Sequence, residues 1–409
     1  MLKFQESVFL FCLLVQTGGS FQALSQTNAH KANSSVSVNL IQPLKSVAAI
    51  QFRKEMIAAE SFESAGVFDV DNDGKLDIVS GAYWYEGPGF INRHYMGTPN
   101  RFGEYYNDFS TAALDVDGDG WMDFVTGGWG DSEIYWRRNP GNKDDIWKNI
   151  TIGKTGSIES TRLFDIDGDG KPEVISNNPG RPLKIFHLLL DDKGKGTGVF
   201  KEYEILETQG HGLGFGDINK DGRVDVILEN GWLEAPLKPF AEKWTFHKEF
   251  SLQSASVPII IADINGDGKN DFITGRAHGY GLYWYEQFSD SSGKRNWKEH
   301  PIDLSNSQYH TMEWEDIDND GIPELITGKR YRAHNSNDPG TNDMIGLYYF
   351  KWNGESFTKQ VISYGKLGEG KGAGIFFRVV DVDNDGKKDI VVAGKDGLYI
   401  FYNEWNKNK

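Results

Sequence analysis

The stretch QYHTMEWEDIDNDGIPELITGKRYRAHNSNDPG, Gln308 to Gly340, holds in one place the unit this chain repeats and the features it carries once. Its centre is a short apolar run, then D-x-D-x-D-G with an acid three residues on (Asp316, Asp318, Asp320, Gly321, Glu324), then a second apolar run. The two ends carry His310 and the cluster Lys329, Arg330, Arg332 and His334, a density of cationic groups that no other copy matches.

The acidic loop recurs from Asp69, Asp115, Asp165, Asp217, Asp263, Asp316 and Asp381, at intervals of 46, 50, 52, 46, 53 and 65 residues. Each copy lies between two strand-like runs, such as Ala65 to Phe68 and Leu76 to Val79. An aromatic run follows (Tyr83 to Tyr85, Ile134 to Trp136, Leu282 to Tyr285, Leu347 to Phe350, Leu398 to Tyr402), then a weaker alternating segment such as Trp297 to Ile302. Four short strands in a unit of ~40 to 50 residues is the pattern of a β-propeller blade, so the chain is predicted to be an all-β, seven-bladed propeller. The last unit stops after its third strand, while Ile50 to Ile57 precedes the first unit without a blade of its own. That N-terminal strand is expected to complete the last blade, which closes the ring and removes a free edge.

Carboxylates at alternate positions converge on one centre only if the chain turns sharply, which the glycine at position 6 permits. Such oxygen-rich loops suit a hard cation, and structural Ca²⁺, up to seven ions, is expected. The ligand sets are Asp69, Asp71, Asp73 and Asp77; Asp115, Asp117, Asp119 and Asp123; Asp165, Asp167, Asp169 and Glu173; Asp217, Asn219, Asp221 and Asp225; Asp263, Asn265, Asp267 and Asp271; Asp316, Asp318, Asp320 and Glu324; and Asp381, Asp383, Asp385 and Asp389. Asn219 and Asn265 are neutral oxygen donors and weaken their sites. These loops hold 26 carboxylates, so much of the formal charge of −16 is localised there. That charge argues against nucleic acid and anionic membranes as partners, because both need a basic face.

The 409 residues contain no apolar run near the ~20 needed to cross a bilayer. Residues 1–25 read as a signal peptide: Lys3 precedes the apolar run Val8 to Val15, and Ala23 and Ser25 supply the small residues of a cleavage site. The expected location is therefore secreted or periplasmic. The single cysteine, Cys12, lies inside that run, so the exported chain has no disulfide and depends on core burial and ions. Residues 26–46 are too polar to bury much and read as a flexible tether, and 47–409 is the propeller.

Loops after the first and third strands of a blade share one face, and loops after the second strand and between blades share the other. The aspartate loops occupy the first of these faces. Sorted this way, His30 falls in the tether, and His94, His187, His247 and His300 fall on third or fourth strands. His211, His278, His310 and His334 all fall on the opposite, top face, in the fourth to sixth units, beside Arg276, Lys329, Arg330 and Arg332. Convergent titratable groups of this kind point to a site. Glu63, Asp108, Trp129, Asp131, Glu159, Arg181, Trp232 and Lys371 are further top-face candidates, each read singly as rim solvation or blade packing. Trp129 and Trp232, placed in loops, could stack on a sugar face. There is no G-x-S-x-G, H-E-x-x-H or phosphate loop.

The loop with its flanking strands resembles the FG-GAP or VCBS repeat of integrin α propellers and many exported bacterial proteins, a fold that hosts adhesins, binding modules and lyases alike. HGLGFGDINKDGRVDVILENGWLEAP from His211, GRAHGYGLYWYEQ from Gly275, the Gln308 to Gly340 stretch and GKDGLYIFYN from Gly394 together resemble the propeller domain of aldos-2-ulose dehydratases. The resemblance implies a carbohydrate partner and elimination across a C–O bond of a keto-sugar, or of a uronate-containing glycan as in polysaccharide lyases. The fungal enzymes continue into cupin domains that this chain does not include. In that reading His310 or His211 is the base, Lys329 and Arg330 hold the enolate oxygen, and Arg332, His334, His278, Arg276, Trp129, Trp232, Glu63 and Asp108 contact substrate. Alternatively His211, His278 and His310 are ligands of one transition metal such as Zn²⁺. The competing reading is a non-catalytic carbohydrate-binding or adhesion propeller stabilised by Ca²⁺.

Overall fold

The computed structural model describes residues 49–143 and 145–405. The proposed signal peptide, its cleavage site, Cys12, His30 and the tether lie outside the described residues. Seven four-stranded antiparallel sheets, each read from its innermost strand outward, make up the ring, with one extra two-stranded hairpin, Arg101–Phe102 with Tyr105–Tyr106. Helix among the described residues is confined to one 3₁₀ turn, Ala333–Ser336.

Closure occurs as the sequence predicts. Phe52–Ala58 is the outer strand of the last sheet and pairs antiparallel with Leu398–Asn403, from Phe52 opposite Asn403 to Met56 opposite Tyr399. At the seam, the backbone of Ala65 donates to Phe376 O at 2.9 Å, and Ile375 N donates to Glu63 O at 2.7 Å. Apolar residues of adjoining sheets fill the space between them: Ile78 and Tyr85 of blade 1 share a cluster with Val391 and Ile400 of blade 7.

Each acidic loop is wired the same way. The first aspartate accepts the N–H of the position-6 glycine, at 2.8 Å for Gly74, Gly222 and Gly321. The position-9 acid is buried and accepts the N–H of position 2, as Asp77 does from Val70 at 2.8 Å and Asp389 from Val382 at 3.1 Å. In the five loops where this acid is aspartate, its other oxygen accepts an N–H at or just past the end of the third strand, as Asp77 does from Gly87 at 2.7 Å and Asp225 from Ala235 at 3.0 Å. In blades 3 and 6 it is glutamate, and that oxygen meets His187 and Lys351 instead. Burial pushes Asp77, Asp225, Asp271 and Asp389 up to about 6 and Asp123 to about 7. Position 9 is thus first a clamp between strands, whatever else it ligates.

Three of the outer histidines belong to a second repeated device. Trp84 stacks on His94, Trp232 on His247 and Trp284 on His300, with ring centroids 4.2–4.3 Å apart. The histidine Nε2 in each faces the glutamate two residues beyond the tryptophan, Glu86, Glu234 or Glu286. These are packing units of blades 1, 4 and 5.

Candidate functional site

Close contact between innermost strands brings the top-face residues together. A Cβ on Gly214 would stand 2.2 Å from Ile259 O, and one on Gly212 (φ 138°) 2.6 Å from the Ala255 side chain. Only glycine lets blade 4 press so close to blade 5. That approach sets His211, whose Nδ1 stands 2.7 Å from Ala255 O.

His211 Nε2 then faces His278 Nε2 at 3.0 Å and Glu159 Oε2 at 3.5 Å, while His310 Nε2 lies 3.3 Å from the same carboxylate oxygen. These four residues come from the entries of blades 3, 4 and 6 and the loop after the second strand of blade 5, and their ligating atoms lie within 4.8 Å of one another. His278 Nδ1 contacts Asp338 at 3.2 Å, and Asp338 also accepts from His334 Nδ1 at 2.9 Å and Gln308 Nε2 at 3.3 Å. His334 stacks on His278 at 4.1 Å.

The proton inventory tests whether this cluster fits a metal. His211 Nδ1 is committed as a donor to a carbonyl and His278 Nδ1 as a donor to a carboxylate, so in the neutral rings both Nε2 atoms carry lone pairs. Two lone pairs facing each other at 3.0 Å beside a carboxylate require a cation or an extra shared proton between them. Ligands about 2.0–2.1 Å from a tetrahedral ion stand roughly 3.3–3.4 Å apart, close to the 3.0, 3.3 and 3.5 Å of the three contacts above, with all four ligating atoms within 4.8 Å of one another. Histidines whose far nitrogen is held by a carbonyl or carboxylate are the usual metal-binding arrangement. The residues fit a transition-metal ion with three nitrogen donors and one oxygen donor.

Burial works against the charged form of His211, yet Glu159 beside it holds the ring above an ordinary imidazole, the direction an extra shared proton would take. Burial would raise the Glu159 carboxyl, but His211 and His310 beside it hold it well below the usual range. Burial depresses His310 far below an ordinary imidazole, with Glu159 only partly opposing it, and lowers His278 against the pull of Asp338. His310 Nδ1 is buried without a partner among the described residues.

Beside the cluster lies a pocket of ≈ 190 Å³. Phe102, Tyr105, Phe109 and Trp129 form an aromatic wall, and Glu159, Arg330, His334 and Asn335 form the polar side. Arg330 is buried and locked by a bidentate pair with Glu63, Nε to Oε1 at 2.8 Å and Nη2 to Oε2 at 3.0 Å. The segment carrying His334 is strained: Arg332, His334, Asn335 and Ser336 all have positive φ, at a cost of on the order of 1 kcal/mol each.

Several residues predicted from sequence stand elsewhere. Trp232 is not in a loop: it begins the third strand of blade 4, Gly231–Glu234, and is fully buried against His247. Lys329 is fully buried and donates to Gln308 Oε1 at 2.9 Å, so it reaches the cluster only through Gln308 and Asp338. His310 has no exposed side-chain surface, and His211 is nearly as enclosed. Arg332 is half-exposed and paired with Glu104. Arg276 lies over the Tyr283 ring at 5.0 Å. Asp108 is buried with both oxygens unpartnered among the described residues, and burial beside Glu63 pushes its carboxyl well above the ordinary value. Trp129, by contrast, is 39% exposed on the pocket wall.

The sequence reading places Glu159 only among the top-face residues of rim solvation or blade packing, and does not single out Asp338 or Gln308. A signal for Glu159 exists in fixed spacing. Six residues before each first aspartate stand Glu63, Phe109, Glu159, His211, Val257, His310 and Ile375. This is one equivalent position per blade at the entry of the innermost strand, where polar residues in several blades converge.

A family model described as FG-GAP-like repeat matches residues 115–176 and 263–327, which include four of the seven acidic loops. No curated protein matches in sequence. Among solved structures, the rhamnogalacturonan lyase YesW is similar at a TM-score of 0.47 and 13% identity, over 86% of this chain and 72% of that one. The remaining three loops repeat the same wiring in equivalent sheets, and the chain is a seven-bladed β-propeller with FG-GAP-like repeats matched at 115–176 and 263–327.

Proposed function

We propose that the protein is a carbohydrate-active lyase or dehydratase, exported by its N-terminal segment, that eliminates across a C–O bond of a keto-sugar or uronate-containing glycan. The observation that carries the reading is the convergence of Glu159, His211, His278 and His310 beside a pocket with an aromatic wall and a fixed guanidinium. A transition-metal ion held by those four side chains would act as a Lewis acid on a carbonyl or carboxylate oxygen.

Base and ligand roles separate by access. His334, 48% exposed, has Nδ1 tied to Asp338, so its Nε2 carries the lone pair that can take the proton α to the carbonyl. Arg330, unable to swing because Glu63 grips it, presents fixed positive charge to the oxygen that becomes anionic. The electron pair left on the α-carbon forms the new double bond as the β-oxygen departs, and that oxygen takes the proton His334 gained, leaving as water or as a sugar hydroxyl. Phe102, Tyr105, Phe109 and Trp129 offer flat faces for the apolar side of a sugar ring.

The exposed Trp129 would serve a non-catalytic carbohydrate-binding propeller equally well, and one experiment separates the two. The purified protein is incubated with keto-sugars and with uronate polymers while ultraviolet absorbance of a conjugated product is followed. The lyase reading expects absorbance that His334→Ala abolishes with binding retained. Retention of the glycan with no chromophore, and indifference to His334→Ala, would leave the binding module.

A further inference from the structure

The seven acidic loops differ in what faces them from the third strand. The cross-strand partners of position 10 are Tyr85, Arg137, Phe186, Leu233, Tyr285, Phe350 and Phe401. The next residue stands over the loop: Glu86, Arg138, His187, Glu234, Glu286, Lys351 and Tyr402 in blades 1 to 7. In blade 6 it is an ammonium. Lys351 Nζ contacts Asp318 Oδ2, Asp320 Oδ2 at 2.7 Å and Glu324 Oε1 at 3.0 Å. These are positions 3, 5 and 9, the oxygens that would otherwise surround an ion. Blade 2 has a guanidinium there, and Arg138 bridges Asp117 and Asp119 at positions 3 and 5, the latter at 2.8 Å.

The other blades differ in kind. His187 of blade 3 lies 2.8 Å from Glu173 and within 4.8 Å of Asp167, and Tyr402 of blade 7 carries no formal charge. Glu86, Glu234 and Glu286 add a carboxylate, and Glu286 lies 3.4 Å from the Asn265 amide, so the two loops with Asn at position 3, in blades 4 and 5, face an acid from the third strand. Lys75, Arg223, Lys269 and Lys387 are loop residues that touch position 5, and Lys143, from the loop after the third strand of blade 2, reaches Asp71 at position 3 of blade 1 at 2.5 Å and Glu86 at 3.3 Å.

We propose that blade 6 carries its own cation. The Lys351 ammonium stands among Asp318, Asp320 and Glu324 where a free divalent ion would sit, and Arg138 bridges the corresponding carboxylates of blade 2, so these two loops do not take Ca²⁺. A second cation placed within a few ångströms of a tethered one is repelled, and the tethered one cannot be diluted away. The expected capacity for calcium is thus at most five ions, not seven.

Calcium bound per chain, measured by native mass spectrometry and equilibrium dialysis on the full exported chain, tests this. The wild type should hold no more than five ions, Lys351→Met one more, Arg138→Met one more, and the double variant two more. Should Lys351→Met fold only in calcium, that dependence, absent from the wild type's blade 6, supports the same assignment. Lys351→Gln, which keeps the stem and removes the charge, provides the count if Lys351→Met does not fold. Six or more ions in the wild type, no calcium in any variant, or an unchanged count in Lys351→Met and Lys351→Gln would overturn it.

Discussion

Replacing Glu63 by alanine should cost far more than the loss of a surface ion pair, and the structure says how much. Arg330 and Glu63 are both almost fully buried, and their contact is bidentate. Surface pairs contribute ~0–1 kcal/mol, whereas deleting one partner of a buried pair strands the other charge and costs ~3–5 kcal/mol. Lys395 Nζ, 3.9 Å from Glu63 and 3.6 Å from the Tyr105 ring centroid, would lose one of its two acids and keep Glu104, also at 3.9 Å, which adds modestly to the cost of Glu63→Ala. With an unfolding entropy of about 2 cal/mol/K per residue, a domain of this size should lose roughly 4–7 °C in Tm. The double variant Glu63→Leu, Arg330→Met removes both charges and should restore most of that loss, because an apolar pair of similar volume is often neutral in a buried position. Turnover should stay absent in the double variant if Arg330 faces the developing anion. Differential scanning calorimetry and the elimination assay, run on the same three proteins, separate the two effects. A drop under about 1 kcal/mol in Glu63→Ala, or full turnover in the double variant, would refute the reasoning.

Asp338→Asn should leave the fold intact but weaken binding of one Co²⁺ or Zn²⁺ by ~10–100-fold, read from the cobalt visible spectrum, because it orients His278 without ligating. Trp232→Ala should destabilise by ~3–5 kcal/mol and leave glycan affinity of the folded fraction unchanged, while Trp129→Ala should weaken glycan binding by about 0.5–1.5 kcal/mol at unchanged Tm. Burial against Tyr105 and Arg330, only partly opposed by Glu63, lowers Lys395 to about 8. Folding disfavours its charged form, so the penalty is full below pH 8 and fades between there and the unfolded value near 10.5. Stability should rise with pH across that window by on the order of 2 kcal/mol relative to Lys395→Met, measured by urea titration.

The architecture was open to reading because its signal is redundant. Seven loops with the same spacing each demand a strand before and after, and an unpaired strand at Ile50 to Ile57 beside an incomplete last unit leaves one place for it to go. Trp232 misled because Asn230-Gly231 is a turn signal, and the turn is indeed there. It is a tight connection between the second and third strands, so the tryptophan after it is already inside the sheet. The spacing shared by Trp84 with Glu86, Trp232 with Glu234 and Trp284 with Glu286 marks it as a packing position.

The site was only half legible, and the reason is the two-residue period of a strand. Lys329 and Arg330 are adjacent in sequence, and successive side chains in a strand leave on opposite sides, so a cationic cluster read as one patch has to be divided. The structure divides it: Arg330 goes to the pocket and Glu63, and Lys329 goes to Gln308 behind the histidines. The same reasoning explains Glu159. Judged alone it is one acid among 59 acidic residues, but its offset from Asp165 equals that of His211 from Asp217 and of His310 from Asp316. In a ring of equivalent blades, equal offsets mean equal depth and equal orientation toward the axis. Three residues at that offset, in blades 3, 4 and 6, therefore point toward one part of the axis; the sequence already groups His278 with His211 and His310 as a possible ligand, and it takes the structure to add Glu159 to them.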